Sequence, residues 1–463
     1  MELRGKQGFA GYVTLQTKGK HWLETLVIFI FILFLVGCLV TGLPVLVALA
    51  AGFLLFFGYG IFTGHGPARM AKAALSRVYK IRTILQIFAL IGLLTALWRE
   101  AGTIPAITYY ASSVVRPGIM VLTCFLLNCL ISFLTGSSFA STATMGVITM
   151  SMARIAGVPA VVASGAILSG VYFGDRCSPV STSALLIATV TKTNIFDNIR
   201  ECLKTAVVPF AASCVIYGVL GIVIHTGAGA AADLAVRELF AKEFRLGFVP
   251  LLPAVLILVL AALRIRVILA MSVSIISAFI ISILYQHAPL WQVVPDLLSG
   301  YHARLPELSG LISGGGLKSM LNPAMIVCLS SSYAGIFEET GLLQGLKGRI
   351  RALADRTSPF AATLLTSVVS CAIACNQTLA VILTEQLCHE LQPDRQLFAI
   401  DIENSTAVIA ALIPWNIACA VPLATLGAPP SAVLLACYLY FLPCWRLITE
   451  RRRYSQYKSA AYK

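Results

Sequence analysis

Charge is missing from this chain in long blocks. No Asp, Glu, Lys or Arg occurs between Glu24 and Arg69, Arg116 and Arg154, Lys204 and Asp233, Arg266 and Asp296, Arg356 and Glu385, or Glu403 and Arg446. A helix crossing the hydrocarbon needs about 20 apolar residues, so each block has room for one span and the longest for two. Shorter charge-free stretches lie at 83–98, 155–174, 246–263 and 319–337. In lipid a segment must satisfy its own backbone hydrogen bonds, so such runs cross as helices. The blocks predict an all-α polytopic membrane protein with roughly 11–14 transmembrane helices. A soluble surface is excluded by composition: 58% of the 463 residues are hydrophobic and 12% charged.

The net charge of +14 does not point to nucleic acid. Lys and Arg sit in short loops and at the chain ends: Arg69, Lys72, Arg77, Lys80 and Arg82 in one loop, Arg446, Arg451, Arg452, Arg453, Lys458 and Lys463 at the end. That is the positive-inside pattern, and no basic face with interleaved aromatics accompanies it. It places loop 69–82 and both termini in the cytoplasm. Residues 1–20 read as a cytoplasmic N-terminal extension rather than a cleaved signal. Residues 21–230 form a first transmembrane half, 231–446 a second, and 447–463 a basic cytoplasmic tail. Walking the spans forward leaves that tail on the wrong side, so a broken or re-entrant segment is expected within 357–445. The 13 cysteines are scattered through apolar runs without a CxxC pair. They read as packing residues, and no metal or cofactor site is indicated.

The halves resemble each other. "ALWREAGTI" (96–104) aligns with "GIFEETGLL" (335–343) at a shift of 239, Glu100 on Glu339 and Gly102 on Gly341. The same shift places Ser137 on Asn376, inside the polar breaks "TGSS" and "ACNQ", and Arg116 on Asp355. Seven spans separate the copies, and an odd number inverts the second. Inverted repeats with broken helices are a common build for secondary transporters, with the site at the repeat interface.

Polar groups inside the apolar blocks mark candidate sites, because a charge in hydrocarbon costs at least about 2.5–3.5 kcal/mol. "GVYFGDRCSPVSTSALLIA" (170–188) drops Asp175 and Arg176 at the end of a charge-free run, between Gly174 and Pro179. A break there would free carbonyls and offer Ser178, Ser181, Thr182 and Ser183 as neutral oxygens for a small cation. The plainer reading is an interfacial ion pair. "DIENSTAVIAALIPWN" (401–416) carries Asp401, Glu403 and Asn404 and breaks at Pro414, before Asn416. Here the plainer reading is a pair of solvated first-turn acids. Ser137, Ser138, Ser141, Thr142 and Thr144 could line a path or bond their own helix; Asn376 and Gln377 are sharper, since buried amides need partners. Glu338 and Glu339 read as solvated loop acids.

"GVYFGDRCSPVS" is similar to the Gly-Asp-Lys/Arg-x-Ser-Pro-x-Ser motif of the NhaC-type sodium/proton antiporters. "ENSTAVIAALIPWN" looks like that family's Glu-Asp-Ser-Gly-Thr segment leading into Ile-Pro-Trp-Asn, and "EAGTIPAITYY" (100–110) is similar to a third family stretch. The resemblance extends from about residue 85 to 430. It implies a bacterial inner-membrane carrier exchanging sodium for protons, with Asp175, Ser178, Glu403, Trp415 and Asn416 as matching positions. Some relatives exchange organic acids, and others amino acids. Two family carboxylates are absent: Thr182 stands where the family has Asp, and Asn404 replaces the Asp after Glu403.

The expected function is therefore sodium/proton antiport by alternating access. Asp175 and Glu403 would bear the coupling charge, and Ser178, Ser181, Thr182, Ser183, Asn404, Asn416, Asn376, Gln377 and Ser137 would be ligands. The alternative is an ion-coupled carrier of a small carboxylate-bearing solute, with Arg176 as its anion partner. A homo-oligomer is left open. No HExxH, GxSxG or Walker motif supports an enzyme or an ATP-driven pump.

Overall fold

The computed structural model describes residues 43–111, 117–179, 181–225, 238–263, 265–340 and 357–461, with most of 23–41 and residues 350 and 352. The N-terminal extension, Arg116, Gly341, Asp355 and most of the loop 338–356 lie outside the described residues.

The described chain is helical, with one isolated bridge between Tyr301 and Gly314. The first half contains α1 (Val45–Phe62), α2 (Pro67–Lys80), α3 (Arg82–Glu100), α4 (Thr103–Ala111) and α5 (Met120–Thr135). It continues through α6 (Ser138–Ser141), a π-helical turn (Thr142–Gly146), α7 (Val147–Ile155), α8 (Ala160–Cys177), α9 (Thr182–Thr191) and α10 (Ile195–His225). Then come α11 (Leu252–Ala262), α12 (Val267–Leu284), α13 (Leu290–Ser299), α14 (Leu321–Thr340), α15 (Pro359–Ala374) and α16 (Gln377–Cys388). The last are α17 (Arg395–Glu403), α18 (Thr406–Ile409), α19 (Ile417–Leu426) and α20 (Cys437–Ala461).

Apolar side chains cover the outside. On α10, Val207, Val215, Val219, Ile222 and Val223 are exposed while Ser213 and Tyr217 point inward. Leu54 and Phe62 on α1, and Ile276 and Leu284 on α12, are exposed likewise. A soluble protein rarely shows apolar surface on this scale, but acyl chains solvate it. Among the described residues, α10 is the one helix long and apolar enough to cross alone, and the pair 395–412 and 417–426 does so with a 49° bend. The broken helices expected from the sequence are present. Several spans are assembled from shorter pieces that meet at breaks.

Those breaks repeat. α5 and α15 have the same length, offset by 239 residues, with Met120 on Pro359 and Thr135 on Ala374. Each ends in a left-handed residue, Gly136 (φ 64°) and Cys375 (φ 53°). Each is followed by an extended cap, Ser137 (φ −142°, ψ 118°) and Asn376 (φ −145°, ψ 128°), which opens the next helix. From α8 onward the offset becomes 235: Ala160–Cys177 lies on 395–412, Pro179 on Pro414, and α9 on α19. Both α9 and α19 end left-handed, at Lys192 (φ 57°) and Gly427 (φ 60°). Polar caps and Pro break the chain at matching places for one reason: a cap side chain satisfies amides that the interrupted helix leaves open.

The halves interlock. α9 packs on α16 and α17 of the second half, while α19 packs on the π turn, α7 and α8 of the first. Tyr172 of α8 donates to Ala418 O of α19 at 2.6 Å. α5 and α8 approach closely, and a Cβ on Gly174 would lie 2.1 Å from the Ser132 and Phe133 backbone. Gly170, one turn earlier, meets Phe125 O at 2.5 Å by the same measure, and Ser132 Oγ donates to Val171 O. Small residues four apart let helix backbones touch in lipid. The break expected between Gly174 and Pro179 falls at Ser178-Pro179: the helix runs through Gly174 to Cys177, and Gly174 serves the close approach rather than the break.

Candidate functional site

The last turn of α8 is where the two sets of breaks converge. Asp175 and Arg176 are buried there, still helical, rather than forming an interfacial pair. Ser183 Oγ, in the first turn of α9, lies 2.8 Å from Asp175 Oδ2 and 3.0 Å from its carbonyl. Ser181 caps α9 by accepting from Ala184 N–H at 3.3 Å and lies 2.9 Å from Ser183 Oγ. The Gln377 amide, the Ser181 hydroxyl and the Ser138 backbone are also within reach of the Asp175 carboxylate. Ser138 opens α6 and Gln377 opens α16, so two helix starts, one from each half, face this acid. Helix starts carry partial positive charge and favour an anion there. Ser178 is buried at the break itself.

Arg176 points the other way. Its Nη2 donates to Asn404 Oδ1 at 2.7 Å and Thr205 Oγ1 at 2.7 Å, and its Nη1 to Cys202 O at 3.2 Å. All three are neutral oxygens. Beyond Asn404 lies Glu403, 1% exposed, whose two carboxylate oxygens have no hydrogen-bond partner. Its charged neighbours are Arg176 and Asp175. A buried polar atom left without a partner is uncommon and needs an explanation.

The plainer reading of Asp401 and Glu403, solvated acids at a helix start, does not hold. They are buried in the last turn of α17, and Ser405 (φ −123°, ψ −85°) then turns the chain into α18. Asp401 is neutralised: Arg446 Nε and Nη2 both lie 2.7 Å from its Oδ1. The second break is held by donors to carbonyls at the end of α15. Trp415 Nε1 donates to Ala372 O at 2.9 Å, Asn416 Nδ2 to Cys371 O at 2.8 Å, and Ile417 N to Cys375 O at 2.9 Å. Asn416 Oδ1 also accepts from Ala418 N at 3.0 Å, so its amide is spent on structure. Asn376 is likewise a cap, accepting from Thr378 N at 2.8 Å. Gln377 Nε2 donates to Ala407 O at 2.8 Å.

Of the residues singled out, Asp175, Arg176, Ser181, Ser183, Gln377, Glu403 and Asn404 thus come together. Ser137 caps α6 by accepting from Ala140 N at 3.3 Å. Thr182 is exposed at the start of α9. Ser141, Thr142 and Thr144 bond carbonyls four residues back at 2.7–2.8 Å, the plainer of their two readings. Glu339, expected in solvent, is only 21% exposed and pairs with Arg69 at 2.5 Å. Sequence reasoning missed Thr205, the Arg446 partner of Asp401, and a second acidic group. There Glu100, buried with both oxygens unpartnered, neighbours Asp296, whose Oδ1 lies 3.5 Å from His302 Nδ1. No spacing in the chain announces these meetings.

The sequence has clear relatives. It is 22% identical to the malate-2H+/Na+-lactate antiporter of Bacillus subtilis over 81% of this chain and 82% of that one. It is 28% identical to the arginine/ornithine antiporter ArcD of Halobacterium salinarum over 75% and 74% of the two chains. With the Na+/H+ antiporter NhaC of Alkalihalophilus pseudofirmus it shares 26% identity over 77% and 79%. The sequence profile of the Na+/H+ antiporter family matches residues 9–222 and 170–445. The motif resemblance to NhaC-type antiporters is borne out, and this membrane-embedded multi-pass chain belongs to the Na+/H+ antiporter family.

Proposed function

We propose that this protein exchanges sodium for protons across a bacterial inner membrane by alternating access, with Asp175 and Glu403 carrying the exchanged charge. The carrying observation is the pair of unpartnered oxygens on buried Glu403, next to an Asp175 that faces neutral hydroxyl and amide groups. A carboxylate so placed must bind something positive, because an isolated buried charge is too costly to leave alone. Sodium takes oxygen ligands, and Asp175, Ser181, Ser183 and Gln377 offer them at the junction of the two halves. The repeated breaks support a build in which one half rocks against the other around a fixed site, the second copy inverted. The basic segment 69–82, which folds as α2 and the start of α3 rather than as the expected loop, supports cytoplasmic termini.

The test uses purified protein in liposomes that enclose a pH-sensitive dye. An imposed sodium gradient, with voltage clamped and no organic solute, is expected to drive saturable proton movement in the opposite direction. Asp175→Asn and Glu403→Gln are each expected to abolish it. Unchanged exchange and unchanged pH dependence in both variants would refute the assignment.

A second reading is favoured by one observation. The Asn404 Nδ2 amide is buried without a partner, beside a guanidinium. Such donors suit a carboxylate-bearing solute, and two relatives are named for organic exchange. A solute that binds the folded state raises its melting temperature by mass action. Malate, lactate, arginine and ornithine are the probes; a shift with one of them and no sodium-driven proton flux selects this reading.

A further inference from the structure

We infer that one exposed stripe of α2, together with Arg82 at the start of α3, is a docking surface for anionic phospholipid headgroups. The inference goes beyond the transport reading and does not depend on which solute is carried.

The stripe follows from helical spacing. Residues three and four apart share a helix face, so Arg69, Lys72, Leu75 and Tyr79 line one side of α2. All four are exposed. Met70 and Ala74, on the opposite side, are buried. α2 is fixed against α14, where a Cβ on Gly335 would lie 2.3 Å from Ala73 O. Leu75 and Tyr79 are 67% and 68% exposed, and α1, which packs against α2, ends in exposed Ile61 and Phe62.

The cations on this surface differ in their partners. Arg69 is paired with Glu339 at 2.5 Å. Arg82 is held by Tyr79: its Nη1 donates to the Tyr79 hydroxyl at 2.7 Å, and its guanidinium lies 5.1 Å from the ring centroid. A guanidinium has several N–H donors, so this contact orients the group without using them all. Among the described residues neither Lys72 nor Arg82 has an acid partner. The surface thus carries two uncompensated cations, ten residues or about 15 Å of helix rise apart, with Leu75 and Tyr79 between them.

Cations interleaved with exposed apolar side chains match the boundary of a bilayer. There the apolar bodies meet acyl chains, and the charged ends reach phosphate. Leu54, Ile61 and Phe62 of α1 already face acyl chains, so the stripe continues a surface that lipid covers. A zwitterionic headgroup cancels its own phosphate, whereas an anionic one leaves a charge for Lys72 and Arg82. Each basic residue at an anionic membrane surface strengthens binding roughly fivefold.

The test titrates phosphatidylglycerol into the purified full-length protein in an uncharged detergent and reads the melting temperature, which a bound lipid raises by mass action. Phosphatidylglycerol is expected to raise it saturably, and phosphatidylcholine at the same mole fraction is not. Lys72→Gln and Arg82→Gln are each expected to need roughly fivefold more phosphatidylglycerol for half the effect, and the double variant roughly 25-fold more. Lys204→Gln, which removes the same charge from a surface pair with Glu201, is expected to leave the titration unchanged. Equal effects of the two lipids overturn the proposal, as does an unchanged titration in the double variant. A loss in Lys204→Gln as large as that in Lys72→Gln shows a response to net charge alone and overturns it too. Inorganic phosphate acting as well as phosphatidylglycerol would make the ligand a free anion instead of a lipid. The readout is binding, so it stands whether or not sodium-driven proton flux is found, and the wild-type comparison of the two lipids can overturn the proposal even if no variant folds.

Discussion

The Arg446–Asp401 pair gives a stability prediction whose size follows from its surroundings. Arg446 reaches Asp401 from α20 with two nitrogens at 2.7 Å, and the side chains are 7% and 1% exposed. Arg446 also lies over the Phe360 ring at 5.7 Å, and Glu450 is close enough to repel Asp401. In Arg446→Met the aliphatic packing is largely kept, but Asp401 is left buried, unpaired and next to a second acid. Breaking a buried pair from one side costs about 3–5 kcal/mol, and the Glu450 repulsion places this case toward the upper end. Replacing both partners removes the stranded charge as well. Asp401→Leu combined with Arg446→Met is therefore expected to be near neutral or stabilising by up to about 1–4 kcal/mol. The assay is thermal or denaturant unfolding of purified protein in one detergent, run as a double-mutant cycle. Strong destabilisation by Arg446→Met, recovered in the double variant, is the expected pattern. A double variant as unstable as the single one would refute the reasoning, because the loss would then come from packing rather than from charge.

Other expectations follow from single contacts. Gly174→Leu should abolish folded protein and Gly174→Ala should cost about 1–3 kcal/mol, read as a lower melting temperature, since any Cβ there meets the α5 backbone. Asn416→Ala removes a cap and the bond to Cys371 O together, so unfolding should show a loss of about 1–3 kcal/mol. Glu100→Gln should be tolerated or stabilising in the same assay, because the native carboxylate has no hydrogen-bond partner and faces Asp296. Thr182→Ala should leave sodium-driven proton flux unchanged and shift stability by less than about 0.5 kcal/mol, as that side chain is exposed at the start of α9.

Much of the architecture was legible in the chain, and particular residues show why. Charge-free blocks dictate helices because lipid offers the backbone no other partner. The breaks were visible as Gly136-Ser137, Asn376-Gln377, Ser178-Pro179 and Pro414-Trp415-Asn416, since caps and prolines act within a few residues of themselves. The 239-residue repeat was faint as identities but is plain as conformation. Ser137 and Asn376 differ chemically yet do the same job, so the period lives in backbone geometry more than in side-chain identity. Asp175, Ser183, Gln377 and Glu403 were legible as polar groups in the wrong solvent.

What tertiary structure alone decided is which polar groups meet. Arg176 finds Asn404 across 228 residues and Asp401 finds Arg446 across 45, while Glu403 finds no hydrogen-bond partner. Gly174 looked like a helix breaker, and only its contact with Ser132 and Phe133 shows it to be a spacer. The physical reason is range. Hydrophobic burial and helix caps operate over one or two turns, so the chain itself carries them. Charge compensation operates wherever packing brings groups within a few ångströms, and that distance exists only in the assembled fold.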